Sequence, residues 1–211
     1  MDKKLYSEIK AIYSAVKPDI EKRLSEFNET REKMNRDELF YELGFCLLTP
    51  QSKATACWDS ICSIKKNMKK NHKSSEIILH LRKVRFMNNK ACYFEEAQKK
   101  WNNGLFDKML GLKDVFKMRE YLVTNVKGMG YKEASHFLRN IGLGENLAIL
   151  DRHILKNLKL LGIIDEVPKS LTKKSYLEIE ESMAQFSRAS RIPLSHLDFV
   201  LWYKEAGRIF K

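Results

Sequence analysis

Apolar residues in this chain recur every three or four positions along nearly its whole length, and no stretch keeps the strict alternation of a β-strand. Leu5, Ile9, Ile12 and Val16 set the period, which resumes after Pro18 with Ile20, Leu24 and Phe27. The same spacing returns in Leu39, Leu43, Cys46 and Leu47, in Ala54, Trp58 and Ile61, in Phe94, Ala97 and Trp101, and in Val115, Met118 and Leu122. Only nine glycines and four prolines interrupt the 211 residues. They fall where helices stop or start: Pro50 closes one, Gly142 and Gly162 suit C-terminal caps, and Pro193 suits a first turn. An all-α protein with short connections is expected. Two polar stretches, Asn28 to Arg36 and Lys65 to Ser75, are candidate breaks between lobes, and neither is long enough to be a free linker.

A chain of this length hides about 70% of its unfolded surface, so a core forms without disulfide or metal staples. Cys46, Cys57, Cys62 and Cys92 match no paired zinc or iron-sulfur spacing and read as reduced thiols. The first residues lack the apolar core of a secretory signal, and no apolar run approaches a membrane span. A cytoplasmic protein with no membrane contact is expected. Lysine and arginine outnumber aspartate and glutamate by 39 to 27, a formal charge of +12. That excess suits a polyanion such as nucleic acid, and it equally describes a solvated lysine-rich surface.

The segment from Leu122 to Gly142 reads as a helix end, a Gly-x-Gly turn and a new helix with Ala134, Phe137, Leu138 and Ile141 on its apolar face. This is a helix-hairpin-helix pattern. Gly128 and Gly130 are expected at positive φ, where the absence of Cβ lets a phosphate approach the backbone amides, and the next helix aims its N-terminal dipole at the same anion. An ordinary hairpin between two helices is the other reading. Lys132 follows in the first turn, off the apolar face. Nineteen residues later Asp151 precedes the periodic run of Ile154, Leu155 and Leu158, where it suits an N-cap. A capping carboxylate held rigid and ionised can also balance a nearby cation, and a lysine beside it supplies an amine nucleophile.

Gly128-Met129-Gly130-Tyr131-Lys132, followed by Leu150-Asp151-Arg152-His153, resembles the catalytic core of the helix-hairpin-helix DNA glycosylase superfamily, in the order and spacing of its bifunctional 8-oxoguanine DNA glycosylase/AP lyases. The resemblance implies that Lys132 is the Schiff-base nucleophile and Asp151 the catalytic aspartate. Leu48-Thr49-Pro50-Gln51-Ser52-Lys53-Ala54 is similar to the segment whose glutamine fills the space left by an extruded base, against a plain helix-terminating loop. Phe86-Met87-Asn88-Asn89-Lys90-Ala91 resembles the segment that carries an apolar wedge, with Phe86 as the wedge or else a core aromatic, and Lys90 joins Gly128, Gly130, Gln51 and Phe86 as an expected DNA contact.

The ending, Leu197 to Lys204 and then Phe210-Lys211, looks most like the compact archaeal and bacterial group. There the resemblance implies that the terminal lysine takes part in reading the base. Asp198 and Trp202 share a helix face if the last helix starts near Pro193, so Trp202 is expected to stack on the purine, with Asp198 or the Lys211 carboxylate accepting the N7–H that distinguishes 8-oxoguanine from guanine. The family fold implies two helical lobes, about 1–34 with 143–211 and about 35–142, with the hairpin at a basic cleft. The expected partner is double-stranded DNA containing oxidised guanine, bound by a monomer. No metal or redox cofactor is expected, although family hairpins can hold a monovalent cation on backbone carbonyls. Two rivals stay open: a non-catalytic helix-hairpin-helix DNA-binding module, and a glycosylase for another lesion.

Overall fold

The computed structural model of the chain describes residues 3–33, 35–68 and 71–211, so Lys69 and Lys70 of the basic stretch lie outside the described residues. All regular elements among the described residues are helical. In chain order they are α1 (Lys3–Lys33), α2 (Arg36–Leu48), α3 (Ala54–Asn67), α4 (Ser74–Ile77) running into a 3₁₀ turn (Ile78–His80), α5 (Met87–Asn102), α6 (Leu105–Leu110), α7 (Val115–Asn125), α8 (Tyr131–Asn140), α9 (Arg152–Leu160), α10 (Lys173–Ser190) and α11 (Leu194–Ala206). None of the described helices is long and apolar enough to cross a membrane.

Helix α1 continues through Pro18, although proline removes an interior hydrogen bond. Burial of Val16 and Ile20 on either side holds the two halves in one register. The helix also runs on through Asn28 to Lys33, part of the polar stretch expected as a break. Phe27 fixes this end by stacking on Phe199, ring centres 6.4 Å apart. Gly162 and Gly142 end their helices at positive φ as expected, and Pro193 is the N-cap of α11.

Two apolar clusters divide the buried side chains. One gathers residues from Leu39 to Leu147; the other joins Leu5, Ile9, Val16, Ile20 and Phe27 of α1 to residues from Ala148 to Leu201. Helix α8 packs Ala134, Phe137 and Leu138 into the first, and α9 packs Ile154, Leu155 and Leu158 into the second. A fully buried side chain of this size contributes about 1.5–3 kcal/mol, enough to fix how each helix is rotated and thus where its first residues point. Lys132 and Asp151 therefore stand at the starts of helices that belong to different clusters.

A buried ion pair ties the clusters together. Arg119 of α7 donates from both terminal nitrogens to Glu180 of α10, at 2.6 and 2.8 Å, and Glu180 also accepts the Ala148 amide at 2.8 Å. That amide lies three residues before Asp151, so the ion pair also anchors the approach to α9.

Candidate active site

The turn between α7 and α8 requires glycine at one position. Gly128 has φ +83°, and a Cβ there would lie 2.3 Å from Cδ2 of Tyr93. Gly130 differs from the expectation. It is extended, with φ −94° and ψ −175°, as the N-cap of α8. Its N–H donates to Glu133 Oε2 at 3.2 Å, because the carboxylate at the third helical position folds back over the helix start. A phosphate approaching that amide therefore meets a carboxylate first.

Lys132, in the first turn of α8, is largely enclosed, its side chain 19% exposed. Its Nζ donates to Thr49 Oγ1 at 2.9 Å and lies 3.7 Å from Glu133 Oε1. Thr49 follows the last turn of α2 and donates its own hydroxyl proton to the Cys46 carbonyl at 2.8 Å. The hydroxyl oxygen is thereby oriented to accept from the lysine.

Asp151 is the N-cap of α9, as the sequence suggested, with Oδ1 accepting the amides of His153 and Ile154 at 2.8 and 2.9 Å. These bonds fix the carboxylate. Its charge reaches Asp198, whose carboxyl is pushed above the usual range by burial and secondarily by Asp151, against the pull of Arg139.

Asp198 was expected to face the lesion. It is instead buried and bonded to the Arg139 guanidinium, so it joins α11 to α8 and its carboxylate is already engaged. Arg139 lies 4.4 Å over the Phe199 ring and donates to Asn140 Oδ1 at 3.4 Å. Asn140 donates to Glu42 Oε2 at 3.2 Å, and Glu42 accepts from Lys211 Nζ. The Lys211 ammonium sits 3.4 Å over the centre of the Trp58 ring. This polar chain runs beneath the site from α11 to the last residue. Trp202 is partly buried against the second cluster.

The segments that carry Gln51 and Phe86 are joined, the Arg85 amide donating to Ser52 Oγ at 3.0 Å. Both are exposed, and both are non-glycine residues in the left-handed region, at φ 54° and 59°. Such a conformation costs roughly 1–2 kcal/mol per residue. Phe86 is 54% exposed, with exposed Met87 beside it and the Arg85 guanidinium 5.5 Å from its ring. It is thus no core aromatic. Arg82, Lys83 and Arg85 are exposed in the same segment. Lys90, expected on DNA, is 4% exposed, and its Nζ donates to Leu48 O and Pro50 O at 2.7 Å and to Ser52 Oγ at 3.0 Å. Three protein acceptors occupy its three protons, so it does not reach a phosphate.

Thr49, Glu42, Arg139 and His136 escaped the sequence reading. Glu42 had a visible signal, a lone carboxylate within the apolar run of α2. His136, one turn past Lys132, carried none. It is buried among Phe45, at 5.5 Å, and the Lys211 backbone, and burial pulls its imidazole well below the usual range, so it is neutral at pH 7.

Comparison with known proteins places the chain among relatives of one family. The family model described as 8-oxoguanine DNA glycosylase matches residues 20–192. The 8-oxoguanine DNA glycosylase/AP lyase of Fusobacterium nucleatum subsp. nucleatum is 47% identical, covering 98% of this chain and 97% of its own. The protein of that name from Methanocaldococcus jannaschii is 37% identical over 94% of each. Among solved structures, the 8-oxoguanine DNA glycosylase of Thermotoga maritima superposes with a TM-score of 0.86 at 34% identity, over 99% of both chains. The Methanocaldococcus jannaschii enzyme in complex with a 15mer DNA containing 8-oxoguanine does so with a TM-score of 0.86 at 33% identity, over 98% of this chain and 99% of that one. With a family match across most of the chain and relatives alike over nearly its full length, this protein belongs to the 8-oxoguanine DNA glycosylase family.

Proposed function

We propose that this chain excises 8-oxoguanine from double-stranded DNA and cleaves the strand at the abasic site it creates, as a bifunctional glycosylase/AP lyase. The observation that carries the reading is Lys132, an enclosed amine held by a neutral hydroxyl at a helix start just beyond a glycine turn, in a chain of this family. A base stacked in a duplex is out of reach of a protein nucleophile, so it must be turned out at a cost of a few kcal/mol. Phe86 enters the stack and Gln51 fills the gap. Trp202 and Lys211 are the residues assigned to the extruded base, the first by stacking and the second by a main-chain oxygen that accepts the lesion's N7–H.

Lys132 attacks as a neutral amine. Its nitrogen forms a bond to C1′ of the deoxyribose, the glycosidic bond breaks, and the departing base takes the electron pair and then a proton. Opening of the sugar ring gives the Schiff base. Loss of a C2′ proton then expels the 3′ phosphate, which breaks the strand. Asp151, immobilised by its cap, balances the positive charge that develops on the sugar, and Glu133 is the carboxylate nearest the amine. No step runs through a metal or redox group. A monovalent cation on the hairpin would rest on carbonyls such as Val126 O, which keeps a second lone pair beside its bond to Met129 N–H.

Duplexes carrying single lesions test the proposal. Strand cleavage at 8-oxoguanine without added alkali, and none at guanine, is the expected result. Binding without cleavage on every lesion would make the chain a DNA-binding module. Affinity for undamaged duplex should fall with salt at a log-log slope of roughly −0.9 per phosphate neutralised.

A further inference from the structure

The two residues assigned to enter DNA project from separate segments, Gln51 from the loop after α2 and Phe86 from the turn before α5, and each holds a left-handed backbone. Neither residue fixes that conformation by itself. The atoms that surround both meet at one ammonium. Lys90 Nζ donates to the carbonyls of Leu48 and Pro50, just before Gln51, and to the hydroxyl of Ser52, just after it. The same Ser52 Oγ accepts the Arg85 amide at 3.0 Å, one residue before Phe86. Finally, the Lys90 amide donates to Phe86 O at 3.0 Å, closing the first turn of α5. Lys90 thus grips the gap-filling loop with its side chain and the wedge turn with its backbone, while Ser52 joins the two directly.

The arrangement is costly for a merely structural pin. Lys90 lies in the first turns of a helix, where the dipole opposes a cation, and all three acceptors of its ammonium are uncharged. Burial without an ion-pair partner pulls it down to about 8. An apolar side chain would fill the same space without that penalty. What an apolar side chain cannot do is bond three oxygens on one strained loop at once.

We propose that Lys90 is a positioning residue for base extrusion: its buried ammonium sets the backbones of Gln51 and Phe86 together, so that gap-filler and wedge enter the duplex as one preorganised unit. The inference rests on the reading that these two side chains enter DNA. Lys90 touches neither substrate nor the reacting atoms, so its loss affects the opening of the stack and spares the later chemistry.

The test compares K90M with the unsubstituted chain on three substrates: 8-oxoguanine paired in a duplex, 8-oxoguanine in a short single strand where no duplex has to be opened, and a preformed abasic site. Excision from the paired duplex should fall at least about tenfold, the loss expected when strained backbones are no longer held. Activity on the other two should stay within about threefold. Equal losses on all three substrates, or no loss on any, would overturn the proposal. Should K90M fail to fold, S52A removes the oxygen shared by the two segments and leaves both Lys90–carbonyl bonds, and the same ordering of losses is expected from it. If the unsubstituted chain cuts none of the substrates, it is the glycosylase reading that has failed.

Discussion

Lys132 and Thr49 stand 83 residues apart in the chain and 2.9 Å apart in the fold. The hydroxyl gives its proton to Cys46 O and offers its oxygen to the lysine, so it aims the amine without adding a charge. T49V should lower the single-turnover rate of 8-oxoguanine excision by about tenfold, since an amine no longer aimed loses its attack geometry. T49S should keep most of the rate. Equal rates for T49V and the unsubstituted chain would show that Lys132 is aimed by its helix alone.

Asp151 combines two roles that one substitution separates. In D151N the amide oxygen still accepts from His153 and Ile154, so thermal stability should change by less than about 1 kcal/mol. Turnover should fall by at least about a hundredfold, because the charge opposite the sugar is gone. A large drop in melting temperature with normal turnover would leave only the cap.

The Arg119–Glu180 pair carries stability and, through the Ala148 amide, holds the approach to α9. R119M strands a buried carboxylate, and unfolding by denaturant should show a loss of about 3–5 kcal/mol. Because Glu180 also holds the Ala148 amide, the double variant R119M/E180M should recover part of that stability and yet remain slow in excision. Full recovery of both would mean that the pair does not position α9.

Three histidines predict the acid side of the stability curve. His72, His136 and His196 are each pulled below the usual imidazole range, chiefly by burial. Their unfolded forms take up protons below about pH 6.5 and the folded forms do so only at lower pH, so their contribution is complete above about 6.5 and is lost as pH falls. Each contributes at most about 1.4 kcal/mol per pH unit. Denaturant midpoints between pH 7.5 and 5 should show this slope, flattened in H136F. A flat profile for the unsubstituted chain would mean that the three imidazoles take up protons in the fold as readily as in the unfolded chain.

Periodicity made the helices legible, and the glycine turn with its spacing to Asp151 made the motif legible, because both are local in sequence. Contacts made through space were not. Lys90 reads as a basic residue at a helix start, which suggests phosphate; its burial depends on a loop some forty residues earlier folding over it. Asp198 falls on the expected helix face, yet Arg139 occupies its carboxylate from another helix. Gly130 looks identical to Gly128 in the sequence, and only the capping carboxylate of Glu133 determines that it is extended. Asn28 to Lys33 is polar enough for a break, and packing of the neighbouring Phe27 keeps it helical.

The claim that Lys132 is the nucleophile is tested most directly by borohydride reduction during reaction with an 8-oxoguanine duplex, followed by mass mapping of the protein–DNA adduct. The account predicts one covalent adduct on Lys132 Nζ, absent from K132Q, which should still bind duplex within a few-fold of the unsubstituted chain. An adduct on any other residue, or trapping that persists in K132Q, would contradict it.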